Sequence, residues 1–188
     1  MNVIVLCLAA WVGFGLETAL PPVLDAGSGG IHPSFIIPLL VFVALHAEAR
    51  VAIWTAVALG LMTDLLIPAI TQNATAVVVP GPHALGYLLA AQLVIASRGM
   101  VIRHNPLTLV VLSVLASLAA SISVVAILGI RTLVDDSVAW GGASALASGF
   151  WSALYTSLSA LVLSFPLFAA APLFGFPHPQ TQRFSRRD

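Results

Sequence analysis

The chain has 188 residues, of which 60% are hydrophobic and only 7% are charged. A soluble domain carries about a quarter charged residues, so this composition excludes an ordinary soluble protein and indicates an integral membrane protein. The formal net charge is zero and there is no lysine, which leaves nucleic-acid binding without an electrostatic basis. A single cysteine, Cys7, excludes an intrachain disulfide.

Six apolar segments follow one another, most of them separated by prolines and glycines that break helices and the second and third by a short stretch with Glu48 and Arg50. They are apolar on all sides, whereas the strands of a β-barrel would alternate polar and apolar residues. The sequence therefore predicts an all-α integral membrane protein with six transmembrane helices. The predicted helices are Val3 to Leu20, Ser34 to Leu45, Val51 to Ile67, His83 to Ser97, Leu107 to Ile130 and Ala143 to Phe165.

The chain is interpreted as one transmembrane domain over residues 1–177 and a short basic tail over 178–188. The first apolar segment lacks a basic start and a convincing cleavage site, so we expect a retained helix rather than a signal peptide. An apolar extension of the sixth segment reaches Phe176 and contains Pro166 and Pro172. This extension is expected to be either the end of a kinked helix or an interfacial segment.

The arginines predict the orientation in the membrane. All but one of them fall in the second loop, the fourth loop and the C-terminal tail, and the exception is Arg131. Because basic residues concentrate in cytoplasmic loops, both termini are predicted to be cytoplasmic.

A few polar side chains interrupt the apolar segments. Asp64 has no charged neighbour between Val51 and Ile67, and ionisable groups at membrane depth usually face a bundle interior or a polar cavity. The candidate polar pocket consists of Glu17, Thr18, Asp64, His83 and Gln92. Such a pocket could bind a ligand, take up a proton or contact a partner helix. Alternatively, Asp64 could be hydrogen-bonded and serve helix packing alone.

Small residues recur at four-residue spacing on the last two predicted helices, a pattern that lets helix backbones approach closely. The candidates for helix packing or partner contact are Ser113, Ser117, Ser121, Ser148, Gly149 and Ser152. The sequence has no HExxH motif, and no histidine lies within the fifth or sixth predicted helix to activate a serine. We therefore expect no enzymatic activity, no metal site and no cofactor.

Several short motifs, taken in order, resemble a known family. They are Leu16-Glu17-Thr18-Ala19-Leu20-Pro21, Pro33, Val43-Ala44-Leu45, Gly60-Leu61-Met62-Thr63-Asp64-Leu65-Leu66 and Pro82-His83-Ala84-Leu85-Gly86-Tyr87-Leu88. Their order and spacing resemble MreD, the rod shape-determining membrane protein of bacteria, over about residues 1 to 130. Glu17 departs from the family pattern, which usually has an amide at that position.

The resemblance implies a non-enzymatic scaffold of the cell-elongation (rod) complex that binds MreC, a single-span membrane protein, and supports the peptidoglycan synthase of that complex. It also implies a fold similar to the six-helix substrate-binding subunits of energy-coupling-factor transporters. A vitamin-binding subunit of such a transporter is the alternative function. The Ala-x-x-x-Ala docking signature of those subunits is matched only weakly, because the partner of Ala9 is Gly13.

Overall fold

The computed structural model describes residues 2–20, 31–66, 69–70, 76–77, 80–132 and 142–176. These ranges contain six helices and one short antiparallel ladder, in which Ala69 pairs with Val77 and Ile70 with Ala76. The helices are α1 (Val3–Ala19), α2 (Ile36–His46), α3 (Ala49–Leu66), α4 (Pro82–Ser97), α5 (Pro106–Thr132) and α6 (Gly142–Phe174). The predicted basic tail at 178–188 lies outside the described residues.

The predicted helical fold class is confirmed for the described residues, and three helices have the length and composition needed to cross a membrane. These three are Ala49–Leu66, Pro106–Ile130 and Gly142–Phe174, while α1, α2 and α4 are shorter apolar helices. The three long helices indicate a membrane-embedded protein. The sixth helix continues through Pro166 and Pro172 instead of stopping at Phe165.

Helix α2 is the centre of the bundle. Its residues from Ile36 to Leu45 are all buried, and it packs against each of the other five helices. Its sequence from Ile36 to Leu45 has no polar side chain, so complete burial leaves no side-chain hydrogen-bonding group unpaired. The ring of Phe42 packs edge to face against Phe168 and Phe174 of α6, with centroid distances of 5.8 and 5.4 Å.

Successive helices run in opposite directions, which groups their termini at two ends of the bundle. At the first, here called the arginine end, the N–H of Asn2 before α1 donates to the carbonyl of Phe174 in α6 at 2.7 Å. The guanidinium of Arg98, after α4, donates to the carbonyls of Ala44 and Ala47 at the end of α2 at the same end of the bundle. The opposite end, which carries Glu17 and Asp64, is called the carboxylate end.

Two glycines allow neighbouring backbones to touch. A Cβ atom at Gly60 of α3 would lie 2.4 Å from the Cα of Ala84 in α4. At Gly86 of α4, a Cβ would lie 3.0 Å from the carbonyl oxygen of Ala120 in α5. The absence of a side chain at these positions thus sets the spacing of α3, α4 and α5.

Candidate functional site

Glu17 is buried at the end of α1, and its carboxylate caps the beginning of α2. Its Oε2 accepts hydrogen bonds from the N–H groups of Phe35 (2.5 Å) and Ile36 (3.3 Å) and from the Ser34 hydroxyl (3.4 Å). Phe35 is the N-cap residue of α2 and offers no side-chain cap of its own. The first N–H groups of a helix have no partner within the helix, so Glu17 supplies the missing acceptor from another helix.

Asp64 performs the same role for α4. Its Oδ2 accepts from the N–H groups of Gly81 (2.8 Å) and Ala84 (3.3 Å), and its Oδ1 accepts from the N–H of His83 (3.0 Å). The Nδ1 atom of the His83 ring also lies 2.7 Å from Oδ1. The N-cap residue Gly81 has no side chain, and Pro82 has no N–H to satisfy. Asp64, which belongs to α3, therefore supplies the hydrogen-bond acceptors for the N–H groups at the start of α4.

The two carboxylates occupy equivalent places in two consecutive helix pairs. Glu17 bonds residues 17 to 19 positions later in the chain, and Asp64 bonds residues 17 to 20 positions later. Each lies in the last turn of an apolar helix, and each partner helix begins near a proline: Pro33 precedes α2, and Pro82 is the first residue of α4. The pair α1–α2 and the pair α3–α4 thus repeat one arrangement, in which a carboxylate replaces water at a helix start.

A polar cavity of about 250 Å³ lies between the helices at the carboxylate end. Glu17, Thr63, His83 and Tyr87 contribute to one side, and α5 and α6 contribute serines to the other. Its remaining lining is His32, Ser34, Ile37, Ser117, Ala120, Ser121, Val124, Val125, Ala145, Ser148, Gly149 and Ser152. Asp64 is 3% exposed and lies behind His83, outside this lining.

The five candidates for a polar pocket are therefore not all brought together. Glu17 and His83 line the polar cavity, and Asp64 orients the ring of His83. Thr18 instead donates its hydroxyl proton to the carbonyl of Phe14 at 2.9 Å, on a different surface of α1. Gln92 is exposed on the outside of α4, because nine residues at about 100° each turn it to the side opposite His83.

The small-residue candidates lie where α5 and α6 meet α2 and each other. Gly149 lies against Ser121, where an added Cβ would be 3.0 Å from the serine Cβ. The Ser152 hydroxyl donates to the carbonyl of His32, and the Ser148 hydroxyl donates to the carbonyl of Ala145 within α6. Ser117 lines the polar cavity, and Ser113 is fully buried with no hydrogen-bond partner for its Oγ.

Sequence reasoning missed the hydroxyl groups that hold the segment before α2. The Oγ1 atom of Thr156 accepts from the N–H of Ser34 at 3.0 Å, and the Ser159 hydroxyl donates to the carbonyl of Ser34 at 2.6 Å. It also missed His32, whose Nδ1 is buried without a partner. The only sequence feature that could have drawn attention to His32 is its position next to Pro33, which precedes α2. The role of Thr156 and Ser159 in α6 is visible only from their contacts with the segment before α2.

A second concavity, here called the lateral groove, runs between α1 and α3 on the side of the bundle. Its volume is about 960 Å³. It is lined by Val3, Leu6, Cys7, Ala10, Trp11, Phe14, Gly15, Thr18, Arg50, Val51, Trp54, Thr55, Ala58, Leu59, Met62 and Leu66. Because α1 and α3 run in the same direction, the groove follows both helices for about 15 residues, or about 22 Å.

No group of three histidine, cysteine, aspartate or glutamate side chains that could hold a metal ion occurs among the described residues. Comparisons with protein-family models, with curated proteins and with solved structures found no match.

Proposed function

We propose that this chain is a non-enzymatic scaffold in the bacterial inner membrane, similar to MreD, that holds the transmembrane helix of a single-span, MreC-like protein. In this proposal all six helices embed in the membrane, both termini are cytoplasmic, and the partner connects the scaffold to the peptidoglycan synthase of the cell-elongation complex. The observation that carries the proposal is the lateral groove between α1 and α3.

The shape of the lateral groove suits one helix. Two parallel helices form its walls, small residues such as Ala10, Gly15 and Ala58 leave space in them, and the exposed rings of Trp11 and Trp54 add broad contact surfaces. Helices associate in membranes through close packing at small residues, because lipid gives no hydrophobic drive for association. A length of about 22 Å covers most of a hydrocarbon core of about 30 Å.

The charge of Arg50 in the lateral groove suggests how the partner helix is oriented. Arg50 lines the groove at the arginine end, which is the cytoplasmic end in this proposal, and it is exposed. No carboxylate of the described residues forms a salt bridge with it. We therefore expect the partner helix to present a carboxylate side chain or a free backbone carbonyl near its cytoplasmic end.

The native cysteine makes the proposal testable. Cys7 is exposed and lines the lateral groove, so it can form disulfides with cysteines placed one at a time along the transmembrane helix of the MreC homologue from the same organism. We expect oxidative cross-links only at the few partner positions that lie level with Cys7 and face the groove, three or four residues apart, because a disulfide needs Cα atoms within about 7 Å. As a control, Cys7→Ser combined with Val111→Cys moves the thiol to an exposed position on α5, where we expect no such pattern.

Filling the lateral groove with a large side chain provides a second test of the proposal. Ala58→Trp places a large ring in the lateral groove, whereas Ala126→Trp places the same ring on an exposed position of α5. We expect only Ala58→Trp to abolish co-purification with the partner. Equal co-purification of both variants, or cross-linking that shows no helical period, would remove the groove from the proposal.

The alternative is a vitamin-binding subunit of an energy-coupling-factor transporter. The polar cavity favours it, because ligand sites are concave and combine apolar walls with a few polar groups. Mass spectrometry of the purified protein separates the two functions. A vitamin retained through purification, without a single-span partner, would replace the scaffold by the transporter subunit.

A further inference from the structure

Several hydroxyl groups at the polar cavity have no proton left for a ligand. Four of its hydroxyl groups donate their single proton within the protein: Ser34 to Glu17, Thr63 to Leu59, Ser148 to Ala145 and Ser152 to His32. A hydroxyl has one proton and two lone pairs, so these four groups can offer a ligand only acceptor sites, and Ser34 Oγ already accepts from the N–H of Ile37 at 3.3 Å.

The two imidazoles at the cavity extend this pattern. Asp64 accepts from Nδ1 of His83, so in the neutral ring Nδ1 carries the proton and Nε2 is an acceptor. Nδ1 of His32 is buried without a hydrogen-bond partner among the described residues, whereas the great majority of buried polar atoms in proteins have one. A ligand that donates a hydrogen bond would satisfy this nitrogen.

Apart from its two imidazoles, the ionisable side chains at the cavity are acids. Glu17 lines it and Asp64 lies directly behind His83, while no arginine occurs among the described lining residues and the whole chain has no lysine. The ring of Tyr87 stands at right angles to that of His83, with centroids 6.2 Å apart, and contributes an aromatic surface that favours cations. Ile37, Val124, Val125 and Ala145 form the apolar part of the wall.

We propose that the polar cavity binds a small primary ammonium compound with a short apolar body. An alkylammonium group has three N–H donors and no acceptor, which matches the acceptors named above. A volume of about 250 Å³ lies below the usual range for drug-sized ligands, so the body is a few carbon atoms long. This binding goes beyond the scaffold function and does not depend on it, because the lateral groove and the polar cavity are separate.

Three probes of one size test the proposal on the full chain in lipid nanodiscs: butylammonium, 1-butanol and butyrate. They place a donor-only cation, a neutral hydroxyl and an acceptor-only anion on similar bodies. Ligand-observed NMR titrations, corrected with empty nanodiscs, give the three affinities. We expect butylammonium to bind at least tenfold more tightly than the other two. A hydrogen bond from a charged donor contributes more than one between neutral groups, and butyrate has no donor for these acceptors.

Variants locate the binding. His32→Phe removes the unpartnered nitrogen, and Val125→Phe fills the cavity from its apolar side without changing a polar group. We expect each to weaken butylammonium binding about tenfold or more. His104→Phe, before α5 at the arginine end, is the matched control and should leave it unchanged. Tighter binding of butyrate, equal binding of all probes, no binding of butylammonium, or full binding in both cavity variants would overturn the proposal.

Discussion

Glu17 and Arg98 hold opposite ends of one buried helix. Glu17 accepts N–H groups at the beginning of α2, and Arg98 donates to the carbonyls of Ala44 and Ala47 at its end, at 2.5 and 2.7 Å. An acid at the start and a base at the end both oppose the helix dipole. With 11 residues, α2 is about 16 Å long and cannot reach both faces of a bilayer of about 30 Å, so side chains replace water as its caps.

Replacing Glu17 by leucine should destabilise the protein. The change leaves the N–H groups of Phe35 and Ile36 buried without an acceptor, which costs about 1–3 kcal/mol each in a buried site. Glu17→Gln keeps one carbonyl oxygen and should fall between wild type and Glu17→Leu. The midpoint of unfolding in SDS, followed by tryptophan fluorescence, measures this order. Glu48→Leu, at an exposed position, is the control and should shift the midpoint little. A wild-type midpoint for Glu17→Leu would contradict the capping role.

Arg98→Met should loosen the end of α2 specifically. It removes both donors to the carbonyls of Ala44 and Ala47, whereas Arg98→Lys keeps the charge but loses the planar fork that reaches two acceptors. We expect faster amide hydrogen exchange over residues 44–50 in the order Met, then Lys, then wild type. Arg103→Met removes an exposed arginine and serves as the control. Unchanged exchange in Arg98→Met would show that the end of α2 does not need this cap.

Asp64 should tolerate asparagine better than leucine. Asparagine keeps one acceptor oxygen for the start of α4, whereas leucine leaves the N–H groups of Gly81, His83 and Ala84 without partners. We expect Asp64→Asn to fold and Asp64→Leu to lose assembly, seen as aggregation in size-exclusion chromatography and as rounded cells in a cell-shape complementation assay. His83→Gln removes the ring and keeps the backbone caps, so its effect should be smaller. Wild-type behaviour of Asp64→Leu in both assays would remove Asp64 from the site.

The helices could be predicted from the sequence because their limits are local. Prolines, glycines or charged residues end the apolar runs, and most predicted boundaries lie within about three residues of those observed, apart from the end of α6 beyond Phe165. The sequence also singled out Glu17 and Asp64, since a charge in an apolar run is conspicuous at any depth.

The roles of these carboxylates could not be read from the sequence. Their partners lie 17 to 20 residues away in the chain, and only the crossing of α1 with α2 and of α3 with α4 brings them together. Gln92 shows a different failure. The buried residues Ala84, Tyr87, Ala91 and Val94 mark the inner face of α4, and helical spacing places Gln92 off that face. A polar residue in an apolar segment is therefore a poor guide to a pocket unless its helix face is also considered.

Gly60→Ala should be among the most destabilising single-methyl additions in the described part of the chain. Its Cβ would lie 2.4 Å from the Cα of Ala84 and 2.6 Å from the carbonyl oxygen of His83, both of which are backbone atoms of α4. To relieve this overlap α3 and α4 must separate, which lengthens the 3.3 Å bond from Ala84 to Asp64 and opens the cap. Overpacking of this kind costs about 1–3 kcal/mol.

Gly15→Ala is the matched control for this change, because a Cβ at Gly15 of α1 meets no heavy atom within 4 Å. Alanine favours a helix over glycine by up to about 1 kcal/mol, so Gly15→Ala should raise or keep the midpoint of unfolding in SDS while Gly60→Ala lowers it. If the two variants shifted in the same direction, backbone contact between α3 and α4 would not control the position of Asp64. Opposite shifts of the unfolding midpoint would support the conclusion that Asp64 can cap α4 because glycine at position 60 lets α3 approach the start of α4.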